Sequence, residues 1–275
     1  IAQTFNKDLA NEYGKICGNY SLWSNLTIFW GCGTNLHRSP YNARNHEYYS
    51  EDAVLTSGQA VAFISGGKEY GVIIAPKHLA FNDTEINRTG VSVFMTEQQA
   101  RENELRGTQA AIEDAGALGV MTAFNRVGIT AANAHTGLLK NILRGEWGFK
   151  GLESQDFIMN PNYAVLKEYA LNGGTMTTFT GENTMAAVSE KFAYWTTENV
   201  GQDTELMSAI KQAMTWQAYA LANSNALDGM ASSTRLVSVR TWYDNALVAV
   251  QVVFAALTVL AAAMYVLNDR KSKKQ

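Results

Sequence analysis

Over the first 230 positions, short apolar runs alternate with longer mixed stretches. LTIFWGCG (26–33), GVIIAP (71–76) and ALGVMTAF (117–124) are apolar runs marked by glycine or proline. They read as strands buried on both faces of a parallel sheet. SEDAVLTSGQAVAFISG (50–66) and TEQQARENELRGTQAAIEDAG (96–116) have the mixed pattern of amphipathic helices. In the second, Thr96 followed by Gln99 makes a capping box and Gly116 a stop. Strand, helix and strand at this spacing predict right-handed βαβ units, hence an α/β fold. The pattern alone fits an open sheet and a barrel equally. A further helix is predicted over about 201–223, and Ser224 to Tyr243, with Ser232, Ser233 and Thr234, reads as a juncture.

The pattern changes at Ala246–Leu267, ALVAVQVVFAALTVLAAAMYVL, where the polar side chains are Gln251, Thr258 and the Tyr265 hydroxyl. Twenty or so such residues at about 1.5 Å each match a hydrocarbon core about 30 Å thick. Trp242 and Tyr243 flank one end, Tyr265 lies near the other, and NDRKSKKQ follows. Aromatic flanks and a terminal basic cluster predict a single transmembrane helix over 245–267. The tail 268–275 is then cytoplasmic, and everything before the helix extracytoplasmic.

Composition narrows the function classes. The chain has 275 residues, 47% of them hydrophobic and 17% charged, with a net charge of −3. That balance gives no basic face for nucleic acid, and the tail's Arg270, Lys271, Lys273 and Lys274 are accounted for by the membrane. Six tryptophans and twelve tyrosines suit a packed core first and a carbohydrate surface second. Cys17 and Cys32 have no metal or redox spacing and read as buried hydrophobes. His37, His46, His78 and His135 are scattered, so neither a metal nor any other cofactor is expected. Ile1 to Leu9 does not read as a signal peptide, and the missing initiator Met suggests that the natural N-terminus lies upstream.

Polar residues follow each predicted strand, and in a parallel barrel those strand ends face one mouth. The ordered series RSPYNARNHEYYSED, KHLAFNDTEINR, EQQARENELRGTQAAIEDAG, VMTAFNRVG and LRGEWGFKG, ending in Asp156, resembles the catalytic barrel of family 3 glycoside hydrolases, most closely β-glucosidase-like bacterial members. The resemblance spans residues 1 to roughly 180.

The resemblance implies a (β/α)8 TIM-type barrel over 1–200, N-terminally incomplete, followed by a helical juncture (201–244). It implies an exo-acting retaining β-glycosidase hydrolysing terminal β-linked sugars of oligosaccharides or glycosides. Asp156 matches the nucleophile that forms a covalent glycosyl-enzyme, and a retaining mechanism needs a second carboxyl group as acid/base. Arg44, Lys77 and His78 match residues that hold sugar hydroxyls. Glu85 is expected near the site mouth, Arg88 as a brace of the same loop, and Phe157 as the aromatic residue after the nucleophile. Glu47, Glu51 and Asp52 are expected to serve as caps and ion pairs.

The chain also departs from the family pattern. Glu153, Ser154 and Gln155 stand where the family has a hydrophobic pair and then Thr or Ser, and burying Glu and Gln is costly unless they are paired. Phe124 replaces a tyrosine, and NGGTM (172–176) lacks an acid. No TDGPxG-like strand is found, and residue 1 is read as already inside the helix before LTIFW. Nothing after residue 180 resembles the sandwich domain that carries the acid/base in most members. The expectation is a C-terminal fragment of a longer enzyme whose sandwich domain lies upstream. The second reading is a catalytically degenerate, membrane-anchored carbohydrate-binding protein on the same scaffold.

Overall fold

The computed structural model describes residues 1–157, 165–178, 195–227, 240 and 242–273. They fall into two units, Ile1–Asp228 and Gly229–Gln275. The stretch 179–194, most of the expected juncture (228–239 and 241) and Lys274 lie outside the described residues.

In the first unit a 3-10 turn at Ala2–Thr4 precedes helix α1, Lys7–Trp23. The chain therefore does not begin in the helix, as the sequence suggests. Asn6 starts it, its side-chain oxygen accepting from the backbone N–H groups of Asp8 (2.9 Å) and Leu9 (3.1 Å). Strand β1 (Ile28–Gly33) follows, then α2 (Ala53–Lys68), capped by Asp52 through the Leu55 N–H at 2.6 Å. Strand β2 runs Ile73–Leu79. A short strand β3, Ser92–Val93, leads to α3, Glu97–Gln99, which Thr96 caps through the Gln99 N–H at 3.2 Å.

The single helix expected over 96–116 is interrupted. Ala100–Glu104 is π-helical, and α4 resumes at Arg106–Glu113 before Gly116 turns left-handed at φ 61°. The Leu105 N–H reaches back to the Ala100 carbonyl, which inserts one residue into the turn. Strand β4 is Gly119–Thr122, β5 and β6 are Arg126–Val127 and Thr130–Ala131, and a second π-helical stretch covers Gly137–Glu146. Strand β7, Leu152–Gln155, is followed by α5 (Leu166–Leu171), α6 (Thr197–Gln202) and α7 (Thr204–Ala222).

Strands β1, β2, β4 and β7 form one parallel sheet in that order. A parallel bridge from Ser154 to Met176 extends it beyond β7. This is a TIM-barrel-like α/β fold. Among the described residues four parallel strands make the sheet, so the eight-stranded closure implied by the resemblance is not formed within them. The parallel direction brings the ends of all four strands, at Gly33, Leu79, Thr122 and Gln155, to one edge.

Ile64, Ile73, Ile74, Leu79, Leu105, Val120, Leu139 and Leu143 are fully buried at the centre, each side chain worth roughly 1.5–3 kcal/mol of transfer free energy. Helices α1 and α2 touch backbone to backbone. A Cβ on Gly14 would lie 2.0 Å from the Phe63 carbonyl oxygen, and one on Gly66 2.1 Å from that of Asn11. Cys17 and Cys32 are buried and unbridged. Helix α7 packs on α5 and β7 and so belongs to the first unit, not to a juncture between units.

Arg144 ties the base of β7 to its surroundings. Its guanidinium donates to the carbonyls of Phe149 (3.0 Å), Gly151 (2.8 Å) and Gly173 (2.7 and 3.2 Å), and it stacks 3.8 Å from the Trp216 ring centroid. Burial pushes this guanidinium down to about 10. Glu153, fully buried in β7, has its carboxyl pushed up to about 7 by burial, with Tyr169, Arg144 and Thr122 opposing. Burial thus keeps a proton on Glu153 up to the neutral range.

In the second unit, helix α8 runs Trp242–Ser272. Its apolar side chains, Leu247, Val253, Phe254, Leu260 and Met264 among them, are exposed, with a mean hydropathy of 2.4 in its most apolar window.

Candidate active site

Five segments meet at the strand-end edge of the first unit. The loop after β1 supplies Asn35, Arg44, Glu47 and Tyr48, and Gly33 makes room for it, since a Cβ there would lie 2.5 Å from the Tyr48 ring. The end of β2 supplies Lys77 and His78, and the loop behind it Asn82, Glu85 and Arg88. Phe124 follows β4, and Asp156 and Phe157 follow β7. Ala43 (φ 71°), Phe81 (φ 66°) and Asn87 (φ 53°) are held left-handed in these loops, a conformation that side chains resist unless their surroundings enforce it.

Asp156 is 9% exposed, and its Oδ2 lies 3.6 Å from His78 Nε2. Its Oδ1 accepts from the Phe157 backbone N–H at 2.8 Å. Burial raises its carboxyl above the ordinary value; the Phe157 N–H and then the charges of Arg88, Arg44 and Lys77 work against that rise. His78 is 3% exposed and held well below the ordinary imidazole value, by burial first and then by the same three cations. It is therefore neutral near pH 7. The Tyr48 hydroxyl accepts from Asn82 Nδ2 at 2.8 Å and lies 3.3 Å from His78 Nδ1. Asn35 Oδ1, which accepts the His78 backbone N–H at 2.8 Å, lies 3.3 Å from the same ring nitrogen. The other ring nitrogen, Nε2, faces Asp156.

Ion pairs knit the cations and the other carboxylates together. Glu47 accepts from Arg44 Nε at 2.7 Å and meets Lys77 Nζ at 2.9 Å. Burial raises its carboxyl, but hydrogen bonds from Lys77 and Arg44 outweigh this and leave it below the ordinary range. Glu85 Oε1 accepts from Asn82 (2.9 Å) and Arg44 (3.3 Å), and its Oε2 from Arg88 (3.0 Å). Arg88 also lies 4.4 Å from the Phe124 ring centroid. Three cations and three carboxylates, counting Asp156, thus share one patch. Its directional donors suit neutral, hydroxyl-rich molecules.

Of the residues singled out in the sequence, Arg44, Lys77, His78, Glu85 and Asp156 come together here. Phe157 is 44% exposed, and its backbone N–H is what touches Asp156. Glu47 and Asp52 occupy the pairing and capping positions expected of them. Sequence reasoning missed Tyr48, Asn35 and Asn82, which surround the His78 ring, and the charge of Arg88 on Asp156. The Tyr-Tyr pair in HEYYSED was the one available pointer. Gln155, flagged as anomalous, accepts from Asn133 Nδ2 through its side-chain oxygen at 2.6 Å. Among the described residues, no group of three or more His, Cys, Asp or Glu could hold a metal ion.

The family model described as Glycosyl hydrolase family 3 N terminal domain matches residues 1–188. Probable beta-glucosidase J of Emericella nidulans is 35% identical over 157 residues, which are 57% of this chain and 18% of that protein. A beta-glucosidase of Ruminococcus albus is 37% identical over 163 residues, 59% of this chain and 17% of that one. The structure of beta-glucosidase 3B from Thermotoga neapolitana in complex with glucose has a TM-score of 0.73 at 27% identity, covering 82% of this chain and 31% of that chain. A beta-glucosidase from Paenibacillus barengoltzii has a TM-score of 0.75 at 26% identity, covering 86% and 26% respectively. The chain thus spans a small part of each relative's length.

Proposed function

The chain belongs to glycosyl hydrolase family 3, and from that premise we propose that the full-length protein is an exo-acting retaining β-glycosidase of β-glucosidase type with Asp156 as its nucleophile. One observation carries this reading: a nearly buried carboxylate at a strand end, faced by a neutral imidazole and drawn toward its ionised form by three cations.

In the proposed reaction Asp156 attacks the anomeric carbon, a carbon–oxygen bond to the carboxylate forms, and the glycosidic bond breaks as an acid protonates the leaving oxygen. Water, deprotonated by that same group, then attacks the anomeric carbon and releases Asp156. Arg44, Lys77 and His78 would orient the sugar by donating to its hydroxyls. Neither nearby glutamate suits the acid/base role. Glu47 is held anionic between Arg44 and Lys77, and both oxygens of Glu85 already accept from donors. The acid/base is therefore assigned to a domain elsewhere in the full-length protein, expected upstream as an α/β sandwich. The closed (β/α)8 barrel is likewise a proposal for the full-length protein.

Helix α8, with its exposed apolar surface and basic end, is proposed to span a bilayer with the first unit outside and the tail in the cytoplasm. A non-hydrolytic, membrane-anchored sugar binder is the second reading. It is favoured by Phe124, which offers Asp156 no hydroxyl and carries Arg88 over its ring instead.

The test treats membranes carrying the full-length protein with an activated 2-deoxy-2-fluoro-β-glucoside and maps the adduct by peptide mass spectrometry. A label on Asp156 is expected. No label from glucosyl or xylosyl probes on folded protein would overturn the catalytic reading and leave the sugar binder.

A further inference from the structure

Beside the candidate site, two buried acids share one cation. Arg38, in the loop after β1, donates through Nη1 to Asp83 Oδ2 at 2.7 Å, and its Nε lies 3.5 Å from Glu104 Oε1. Glu104 belongs to the π-helical turn Ala100–Glu104 and its side chain is 2% exposed. Asp83 follows Asn82 in the loop behind β2, and its side chain is 12% exposed. The remaining oxygens, Asp83 Oδ1 and Glu104 Oε2, are buried without a hydrogen-bond partner. Two ionised carboxylates on one guanidinium would leave a net negative charge and two bare oxygens in the interior, an arrangement that low-dielectric surroundings disfavour. A single proton held by the pair removes the excess charge.

We propose that Asp83 and Glu104 hold one proton in common and, with Arg38, form a latch that fixes the loop 80–91. That loop carries Asn82, Glu85 and Arg88, so the latch positions residues of the candidate site without touching substrate. Among the described residues, the charges acting on Glu104 are Asp83 and Arg38, and the one acting on Asp83 is Arg38. Burial raises both carboxyls, Glu104 being raised further by the charge of Asp83, while Arg38 opposes. The shared proton is therefore held across neutral pH and lost on the alkaline side, where the latch opens. The latch itself does not depend on the hydrolase reading; its consequence for catalysis does.

The test is hydrogen exchange of amides 80–91 in the full-length protein from pH 6.5 to 9.5, expressed as protection relative to intrinsic exchange. Wild type is expected to lose at least about tenfold in protection, in a step centred at about 8. Glu104→Gln keeps the shape of the side chain but cannot ionise, so its protection stays level across that range. A wild type without the step, or a Glu104→Gln variant with the same step, overturns the latch. If Glu104→Gln does not fold, Asp83→Asn decides. Removing the Asp83 charge must move the step to lower pH, and an unmoved midpoint overturns the proposal. The labelling rate of Asp156 over the same pH range reports the catalytic consequence separately. A step in exchange with no labelling at any pH supports the latch and counts against the hydrolase reading alone.

Discussion

Replacing Arg144 with alanine tests whether the strand carrying Asp156 is anchored from below. The guanidinium serves three carbonyls, those of Phe149, Gly151 and Gly173, and stacks on Trp216. A hydrogen bond from a charged donor is worth roughly 1.5–3 kcal/mol net, and each carbonyl left bare in the interior costs roughly 1–3 kcal/mol. The ring contact adds about 0.5–2 kcal/mol. The sum does not apply in full, because Arg144 lines a cleft of about 280 Å³ between α5, α7 and the second π-helical stretch, and water can follow it there. The expected loss is therefore about 3–5 kcal/mol, in the upper tail for single substitutions. Urea unfolding of the detergent-solubilised full-length protein, followed by tryptophan fluorescence, gives the difference from the midpoint and slope. Arg144→Lys should recover less than half of it, since one ammonium cannot reach three carbonyls in a fork geometry. A loss below about 1 kcal/mol for Arg144→Ala refutes the anchoring role.

Five further outcomes are expected. Asp156→Asn should abolish covalent labelling and lower turnover on the order of 10³-fold or more, measured as release of an activated leaving group; retention of the label would move the nucleophile elsewhere. The acid limb of kcat/KM should lie above the ordinary aspartate value of 3.8, because burial raises Asp156. Arg88→Met should move that limb to still higher pH, since a cation favours the carboxylate; a shift to lower pH would contradict the geometry. Gly173→Ala should cost about 1–3 kcal/mol in the same unfolding assay, because φ is 95° and the added Cβ would lie 3.2 Å from Arg144 Cγ. Val259→Arg with Leu260→Arg, at roughly 2.5–3.5 kcal/mol each against insertion, should release the protein from carbonate-washed membranes.

What could be read in advance follows from which forces act locally. The cores of β1, β2 and β4 were legible because fully buried parallel strands are apolar runs, and Thr96, Asp52 and Gly116 marked helix ends through chemistry confined to a few residues. Strand β7 was legible only through its position before Asp156, since LESQ carries no apolar signal. The π-helical turns were not legible, because one inserted residue slips the register without changing composition. The role of Arg144 was invisible for another reason: its partners are distant carbonyls, which any residue type supplies. Within the site, Arg44, Lys77, His78 and Asp156 were marked by motif, whereas Tyr48 and Asn82 join the network around His78 across 30 and 4 positions of sequence. Such contacts exist only once β1 and β2 lie side by side.

The balance of charge around Asp156 carries one more consequence. Arg44, Lys77 and Arg88 face Glu47, Glu85 and Asp156, so the resting patch sums to zero. In the proposed reaction an ester on Asp156 would remove one negative charge, while His78, held neutral by burial and by those cations, adds nothing. The proposed intermediate would then sit in a patch of net charge +1, at a depth where screening is weak. Regenerating the carboxylate restores neutrality. The same cations that ready the acid to attack would thus also favour its departure, biasing the cycle toward emptying itself rather than stalling in the covalent state.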